Sequence, residues 1–431
     1  MRRLATVLGA ILSLAGAARA AVPAGSPPPP LAIAGFAPER LKAFDVLMER
    51  QLSTGEIAGA VILLVRHGKV VLFKPYGLRD LIDPIPMRRD DIFRIRSQTK
   101  PVTALAMMML YEQGLWKLDD PVTKFVPEFS NLRVANGVDA EGKPMLAPLS
   151  RPPTMRELMT HTAGFAYGLA PDGVADKAYF DARVLTSTNS QAMLIKIAGL
   201  PMISQPGARW YYSVAADIQG AIVERLSGMS LAQFMAERIF TPLGMVDTAF
   251  YVAPEKAPRL ATLYDVDPVS HLLWRQSERD NQDIFTAPGL ASGGGGLMST
   301  AQDYGRFCQM ILGGGALDGV RLLKPETVAM MRQNHLAETF MVTSNGTRAS
   351  PLGTGIGFGL GWAVWFDPAA TGAPVGAGTI RLGGSAGSWF WIDPKNDLYF
   401  VGMIQRLGGT GGGMDAATRS ITYQALVDPK K

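Results

Sequence analysis

The chain has 431 residues, 47% of them apolar and 18% charged, with a formal net charge of +5 and a single cysteine. One cysteine excludes an intramolecular disulfide, so a packed core must hold the fold, and the length exceeds the ~250 to 300 residues at which one core stops growing, so two packed lobes are expected. The basic residues form no Lys/Arg block, which excludes the clustered basic face that nucleic-acid binding needs.

The N-terminus carries Arg2 and Arg3, an apolar run from Leu4 to Leu14, and the small-x-small pattern Ala18-Arg19-Ala20. This reads as a secretory signal peptide over residues 1–20, with a mature start near Ala21 and an exported, periplasmic or secreted protein. Its removal takes three of the 42 basic residues and none of the 37 acidic ones, so the formal charge falls from +5 to +2. No later stretch reaches about 18 consecutive apolar residues, and stable membrane insertion is not expected. Residues 21–35, with the run Pro27 to Pro30, read as a stiff spacer, and the folded body is expected to begin near Phe36.

From Gly59 to Phe73 two apolar runs flank His67-Gly68-Lys69, a β-hairpin signal. From Ser97 to Gln113 the pattern is helical and apolar nearly all round (Val102, Leu105, Met108, Met109, Leu110), with Gly114 placed to end the helix. Between 121 and 285 further helices are expected, one of them marked by Ile218, Ile222 and Leu226. After Gly293 to Gly296, and again from Gly355 to Met403, short Gly-, aromatic- and β-branched-rich runs predict strands, notably Ser388 to Ile392 and Leu398 to Val401. Cys308, within Tyr304 to Ile311, is expected as a small buried hydrophobe. The fold expected is α/β: an antiparallel sheet built from N- and C-terminal segments and flanked by helices (36–120 and 286–431), with a mainly helical lobe (121–285) inserted.

Three elements carry chemistry. Ser97-Gln98-Thr99-Lys100 is the chain's one serine with a lysine three positions later, a spacing that puts both side chains on one helix face. A lysine acts as a base only when its pKa is depressed, and burial at a helix start is expected to push Lys100 down. In the second element, Pro206 to Ser213, a Pro-Gly turn and an aromatic run lead into a helix, so that Tyr212 can present its phenol to the same proton network or simply bury it. The third is Leu382-Gly383-Gly384-Ser385-Ala386-Gly387, where glycines let the backbone approach a ligand, as an oxyanion hole requires, or make a bulge or tight turn.

In order and spacing these elements resemble the serine β-lactamase and penicillin-binding-protein superfamily, most of all class C β-lactamases and family VIII carboxylesterases. Met155 to Gly164, Thr241 to Met245 and Gly295 to Ala301 resemble the same group, so the similarity covers about residues 40 to 425. The resemblance implies that Ser97 is acylated, that Lys100 and Tyr212 relay its proton, and that the backbone amides of Ser97 and Ser385 hold the oxyanion. Val214, Leu382, Gly383 and Gly384 then fall at substrate-binding positions. β-Lactamases have Asn where this chain has Val214 and Lys where it has Leu382. Arg381 cannot replace that lysine, because neighbouring strand residues face opposite ways. A neutral short-chain ester is therefore expected as substrate. The alternatives are an amide-directed enzyme (weak β-lactamase, D-aminopeptidase or D,D-peptidase), an acyltransferase, and, outside enzymes, a peptidoglycan-binding or sensor module.

Gly383 to Gly387 also satisfies G-x-S-x-G, but that elbow needs a following helix and a later histidine, whereas the last histidine is His335. His67, His161, His271 and His335 lack metal-ligand spacing, so neither metal nor cofactor is implied, and His161 is expected as a structural hydrogen-bonding residue.

Overall fold

The computed structural model describes residues 33–427, apart from 142–143, 170–172, 277–281, 341–348 and 410–412, so the expected signal peptide and proline run lie outside the described residues. Phe36, fully buried, bridges Leu426 near the other end of the chain. Helix α1 (Pro38–Ser53) follows, with proline in the first turn, where a missing N–H removes no helix bond.

Strands β1 (Gly59–Arg66) and β2 (Lys69–Asp80) form the expected hairpin. His67 and Gly68 both take left-handed φ values, 51° and 68°, which bring the right-twisted strands back on each other. Every residue of β1 is buried, and alternate side chains part to two sides of the sheet. Val61, Leu63 and Val65 enter the larger core, whereas Ala60, Ile62 and Leu64 join Phe44, Met48 and Met414 on the other face. That double burial explains the unbroken apolar run. A short strand, β3 (Ile85–Pro86), completes the N-terminal part.

Helix α2 (Thr99–Glu112) is buried along most of its length and packs against α3 (Ala215–Ser227). The segment between them and on to residue 285 is less purely helical than expected, because it also carries the hairpins Arg133–Val138 with Pro144–Pro148 and Tyr264–Val266 with Leu273–Arg275. The strands expected directly after Gly296 shrink to Met298–Ser299, and α4 (Ala301–Leu312) takes their place. The reason is local: the Thr300 hydroxyl caps the Asp303 amide at 3.1 Å, and Ala301, Tyr304, Cys308 and Ile311 recur at helical spacing. Cys308 is fully buried, as expected.

The C-terminal part supplies β4 (Ile356–Phe358), β5 (Ala363–Trp365), β6 (Thr379–Gly383), β7 (Trp389–Asp393), β8 (Leu398–Met403) and helix α5 (Met414–Ala425). All pairings are antiparallel, in the order β4-β5-β6-β7-β8-β1-β2-β3. The β8–β1 pairing, from Val61 opposite Met403 to Arg66 opposite Leu398, closes one sheet from both ends of the chain. Helices α1 and α5 pack together on one face, and α4 lies on the other against β1 and β8.

At Gly402 on β8 an added Cβ would run into the indole of Trp389 on β7. Gly402→Ala is expected to lower stability by about 1 to 3 kcal/mol, the usual cost of overpacking. Urea unfolding measures this directly, and an unchanged midpoint would contradict the packing described.

Candidate active site

The site is built where the chain leaves a short extended pair, Phe93–Arg94 against Met298–Ser299, and enters α2. Arg96 takes a left-handed φ of 47°, an unusual conformation for a non-glycine residue that forces a sharp turn. A 3-10 turn, Arg96–Gln98, then presents Ser97 half-buried at the head of α2. One turn on, the Lys100 side chain runs back along the same face and its Nζ reaches Ser97 Oγ at 3.3 Å.

Lys100 is 2% exposed, and its ammonium is satisfied inside the core. Nζ donates to the Gly294 carbonyl at 2.7 Å and meets the Tyr167 hydroxyl at 3.1 Å. It also lies 4.4 Å from the centre of the Tyr212 ring and 5.1 Å from that of Tyr167. Thus Ser97, Lys100 and Tyr212 do come together. Tyr167 completes the cluster, and nothing in the sequence points to it: it sits in an irregular loop three residues past Gly164, where no periodicity marks it. Asp176 fixes this loop, accepting from the amides of Tyr167 and Gly168 at 2.9 and 2.8 Å and from the Tyr211 hydroxyl.

The electrostatics correct one expectation. Burial pulls the Lys100 ammonium down, but Tyr167, Tyr212 and the carboxylate of Asp217 pull it up, and the net direction is upward. Lys100 is held as a cation and is not the depressed lysine that its place at a helix start suggested. Burial pushes Tyr167 up to about 12. Burial, together with the charge of Lys100, pushes His161 down to about 3, so its ring is neutral. His161 Nδ1 accepts the Ser213 amide at 3.2 Å, and its ring centre lies 4.9 Å from that of Tyr212, the supporting role expected for it.

The third element lies against the first. Ser388 Oγ donates to the Ile95 carbonyl at 3.1 Å, and the Gln405 side chain accepts from the Arg94 amide at 3.1 Å while donating to the Ala386 carbonyl at 3.4 Å. These bonds lock the turn carrying Ser385 beside the turn carrying Ser97. Among the described residues neither the Ser97 nor the Ser385 amide donates a hydrogen bond, and Ser385 is exposed. Gly384 is buried, and a Cβ there would run into the Ile95 carbonyl. Its glycine thus serves the close approach of two turns of this chain, where the sequence had suggested approach to a ligand. Gly383 is exposed and lines, with Arg381, Leu382, Gly384 and Asp415, a cavity of about 260 Å³.

Leu382 packs against the larger core, whereas Arg381 turns to the other face, 3.1 Å from Asp415 and 4.8 Å from the centre of the Trp365 ring. No lysine and no substitute arginine stands where Leu382 is. Val214, expected at a substrate-binding position, has no exposed surface. Its amide bonds the Ala166 carbonyl at 3.1 Å and its side chain belongs to the core, because the chain is already turning into α3 there.

Residues 44–423 match the family described as Beta-lactamase. The chain is 33% identical over 400 residues to Esterase EstB of Burkholderia gladioli, covering 88% of this chain and 94% of that one. It is 31% identical over 376 residues to the Lovastatin esterase of Penicillium rubens, covering 84% and 92%. The solved structure of EstCE1, titled a hydrolase with promiscuous acyltransferase activity, superposes with a TM-score of 0.73 at 26% identity, covering 89% of this chain and 98% of that one.

The buried neutral imidazole of His161 sets a stability limb. Its folded pKa lies below the unfolded value, so the unfolded chain binds more protons between about pH 3 and 6.5. Stability should be complete above about pH 6.5 and fall as the pH drops below it. Between about pH 6.5 and 5 the His161→Asn variant should lose stability with a shallower slope than the parent in urea unfolding; equal slopes would contradict the burial of a neutral ring.

Proposed function

This chain belongs to the Beta-lactamase family and is a serine hydrolase of that fold, and from that premise we propose that it hydrolyses short-chain carboxylic esters through an acyl-enzyme on Ser97. The observation that carries the proposal is the cluster of Ser97 Oγ, the buried Lys100 Nζ and two tyrosines beside two amides that donate to no described residue.

Ser97 Oγ attacks the ester carbonyl, and its proton passes to Lys100 and Tyr212 acting as a coupled pair. With Lys100 held as a cation, the pair accepts a proton only after losing one of its own, whichever of Nζ and the phenol oxygen then lacks it. The amides of Ser97 and Ser385 stabilise the oxyanion. Collapse of the tetrahedral intermediate breaks the ester C–O bond, and the alcohol leaves with the proton from the pair. Water attacks the acyl carbonyl, gives its proton to the pair, and releases the carboxylic acid as the proton returns to Ser97 Oγ. Activity should fall on the acid side, where the pair is fully protonated. Lys100→Arg should be nearly inactive, because the planar guanidinium neither deprotonates in this range nor reproduces the compact Nζ contacts to Ser97 and Gly294.

Substrate choice follows from β6. An apolar Leu382 offers no cation to a substrate carboxylate, a charged hydrogen bond of about 1.5 to 3 kcal/mol. A second reading, transfer of the acyl group to an alcohol, is favoured by the likeness to EstCE1, a hydrolase with promiscuous acyltransferase activity. The stretch 1–20 supports export to the periplasm or medium, and N-terminal sequencing of exported protein should give a start near Ala21.

Ser97→Ala should abolish turnover and leave the fold intact. In the parent, kcat/KM for a short acyl p-nitrophenyl ester should exceed that for a chromogenic cephalosporin by roughly ten- to a hundredfold, the loss of one charged anchor converted to rate. A cephalosporin rate equal to or above the ester rate would overturn the ester assignment. A Leu382→Lys variant with a raised cephalosporin rate would support the stated cause.

A further inference from the structure

Behind Lys100, away from Ser97, lies a buried carboxylate that the reaction steps above do not use. Asp217 stands in the first turn of α3, 2% exposed. Its Oδ1 accepts from the Ser292 hydroxyl at 2.6 Å and from the Gly294 amide at 3.0 Å. Its Oδ2 has no hydrogen-bond partner among the described residues. The residue whose amide it grips is the one whose carbonyl takes the Lys100 ammonium: Gly294 O accepts from Nζ at 2.7 Å.

The glycines after Ser292 are shaped to this contact. A Cβ on Gly294 would run into Asp217 Oδ2, and one on Gly293 would run into the Ala216 carbonyl. The Gly293 carbonyl is pinned in turn by the Thr103 hydroxyl of α2 at 2.7 Å. The Gly293–Gly294 strap is therefore clamped between the two helices that meet at the site, with Asp217 as the clamp on one side and Lys100 hanging from it on the other.

We propose that Asp217 is a positioning residue of the hydrolase, which holds the Gly294 carbonyl on Lys100 and supplies the counter-charge to its ammonium. It touches neither Ser97 nor the reacting atoms and acts through Lys100. This rests on the acyl-enzyme reading of Ser97. The groups around Lys100 leave the role to Asp217: Tyr167 and Tyr212 are phenols, His161 is neutral, and Ser292 is a hydroxyl. When Lys100 and Tyr212 take up the Ser97 proton, positive charge forms around the buried Nζ, and a carboxylate fixed beside it stabilises that charge; burial pushes the Asp217 carboxyl up, against the pull of Lys100, Ser292 and the Gly294 amide.

The test is the pH profile of kcat/KM for a short acyl p-nitrophenyl ester, measured for the parent and for Asp217→Asn, with thermal unfolding to confirm the fold. The amide can still accept from Ser292 and Gly294 but carries no charge. Two effects are expected together: the plateau rate falls about tenfold or more, and the acid limb moves to lower pH by about one unit, since Lys100 without its counter-charge releases its proton more readily. A residue with a merely structural role would lower the rate and leave the limb in place. Gly294→Ala, which keeps the charge but crowds the strap off Lys100, should move the limb in the same direction by less, and serves if Asp217→Asn does not fold. An acid limb unmoved in a folded Asp217→Asn, or in a folded Gly294→Ala where that variant must stand in, overturns the proposal. A parent without ester turnover takes down the functional reading, and this proposal with it.

Discussion

The structure depends on one constraint: a lysine ammonium has been taken out of water and set at the head of a buried helix. An unpartnered charge in that position would cost several kcal/mol, more than a marginally stable fold tolerates. Each oddity nearby answers that cost. The Gly294 carbonyl, the Tyr167 hydroxyl and two aromatic rings surround Nζ, and Asp217 closes the charge balance from behind. The glycine strap, the left-handed Arg96 and the pinned tyrosine loop are the backbone conformations that bring those groups within reach.

A rigid sheet makes the second half of the site possible. Ser97 and Ser385 are far apart in sequence, and their turns meet because β8 pairs with β1 and so brings the C-terminal hairpin beside the start of α2. Gln405, just past β8, and Ser388, just before β7, lock the two turns together. The clamp is polar and almost wholly buried, so it holds orientation as well as distance. In the proposed reaction, two amides held in this way would cost no reorganisation when an oxyanion forms between them.

What could be read from the residues alone follows a physical divide. The β1–β2 hairpin, α2 and the strands β7 and β8 were legible because local periodicity and turn chemistry specify them. Ser97 and Lys100 were legible because a three-residue spacing has one geometric meaning on a helix. Tyr167 and Asp217 were not: each acts from a different segment, and nothing in its local pattern points to Lys100. The pKa of Lys100 ran opposite to the expectation because burial was visible in the sequence while the compensating groups were not. Val214 shows the same limit, since its place two residues after Tyr212 suggests a cleft residue and the turn into α3 buries it. The run after Gly296 was misread as strand because its glycines and apolar residues outweighed the Thr300 cap that starts α4.

The central claim is that this cluster around the buried Lys100 makes Ser97, and not the serine of the glycine-rich turn, the residue that takes the acyl group. A serine-directed phosphonate, followed by proteolysis and mass spectrometry, tests it most directly. The account predicts a single adduct on the peptide containing Ser97, formed slowly in acid and faster as the pH rises. An adduct on the peptide containing Ser385 would contradict it.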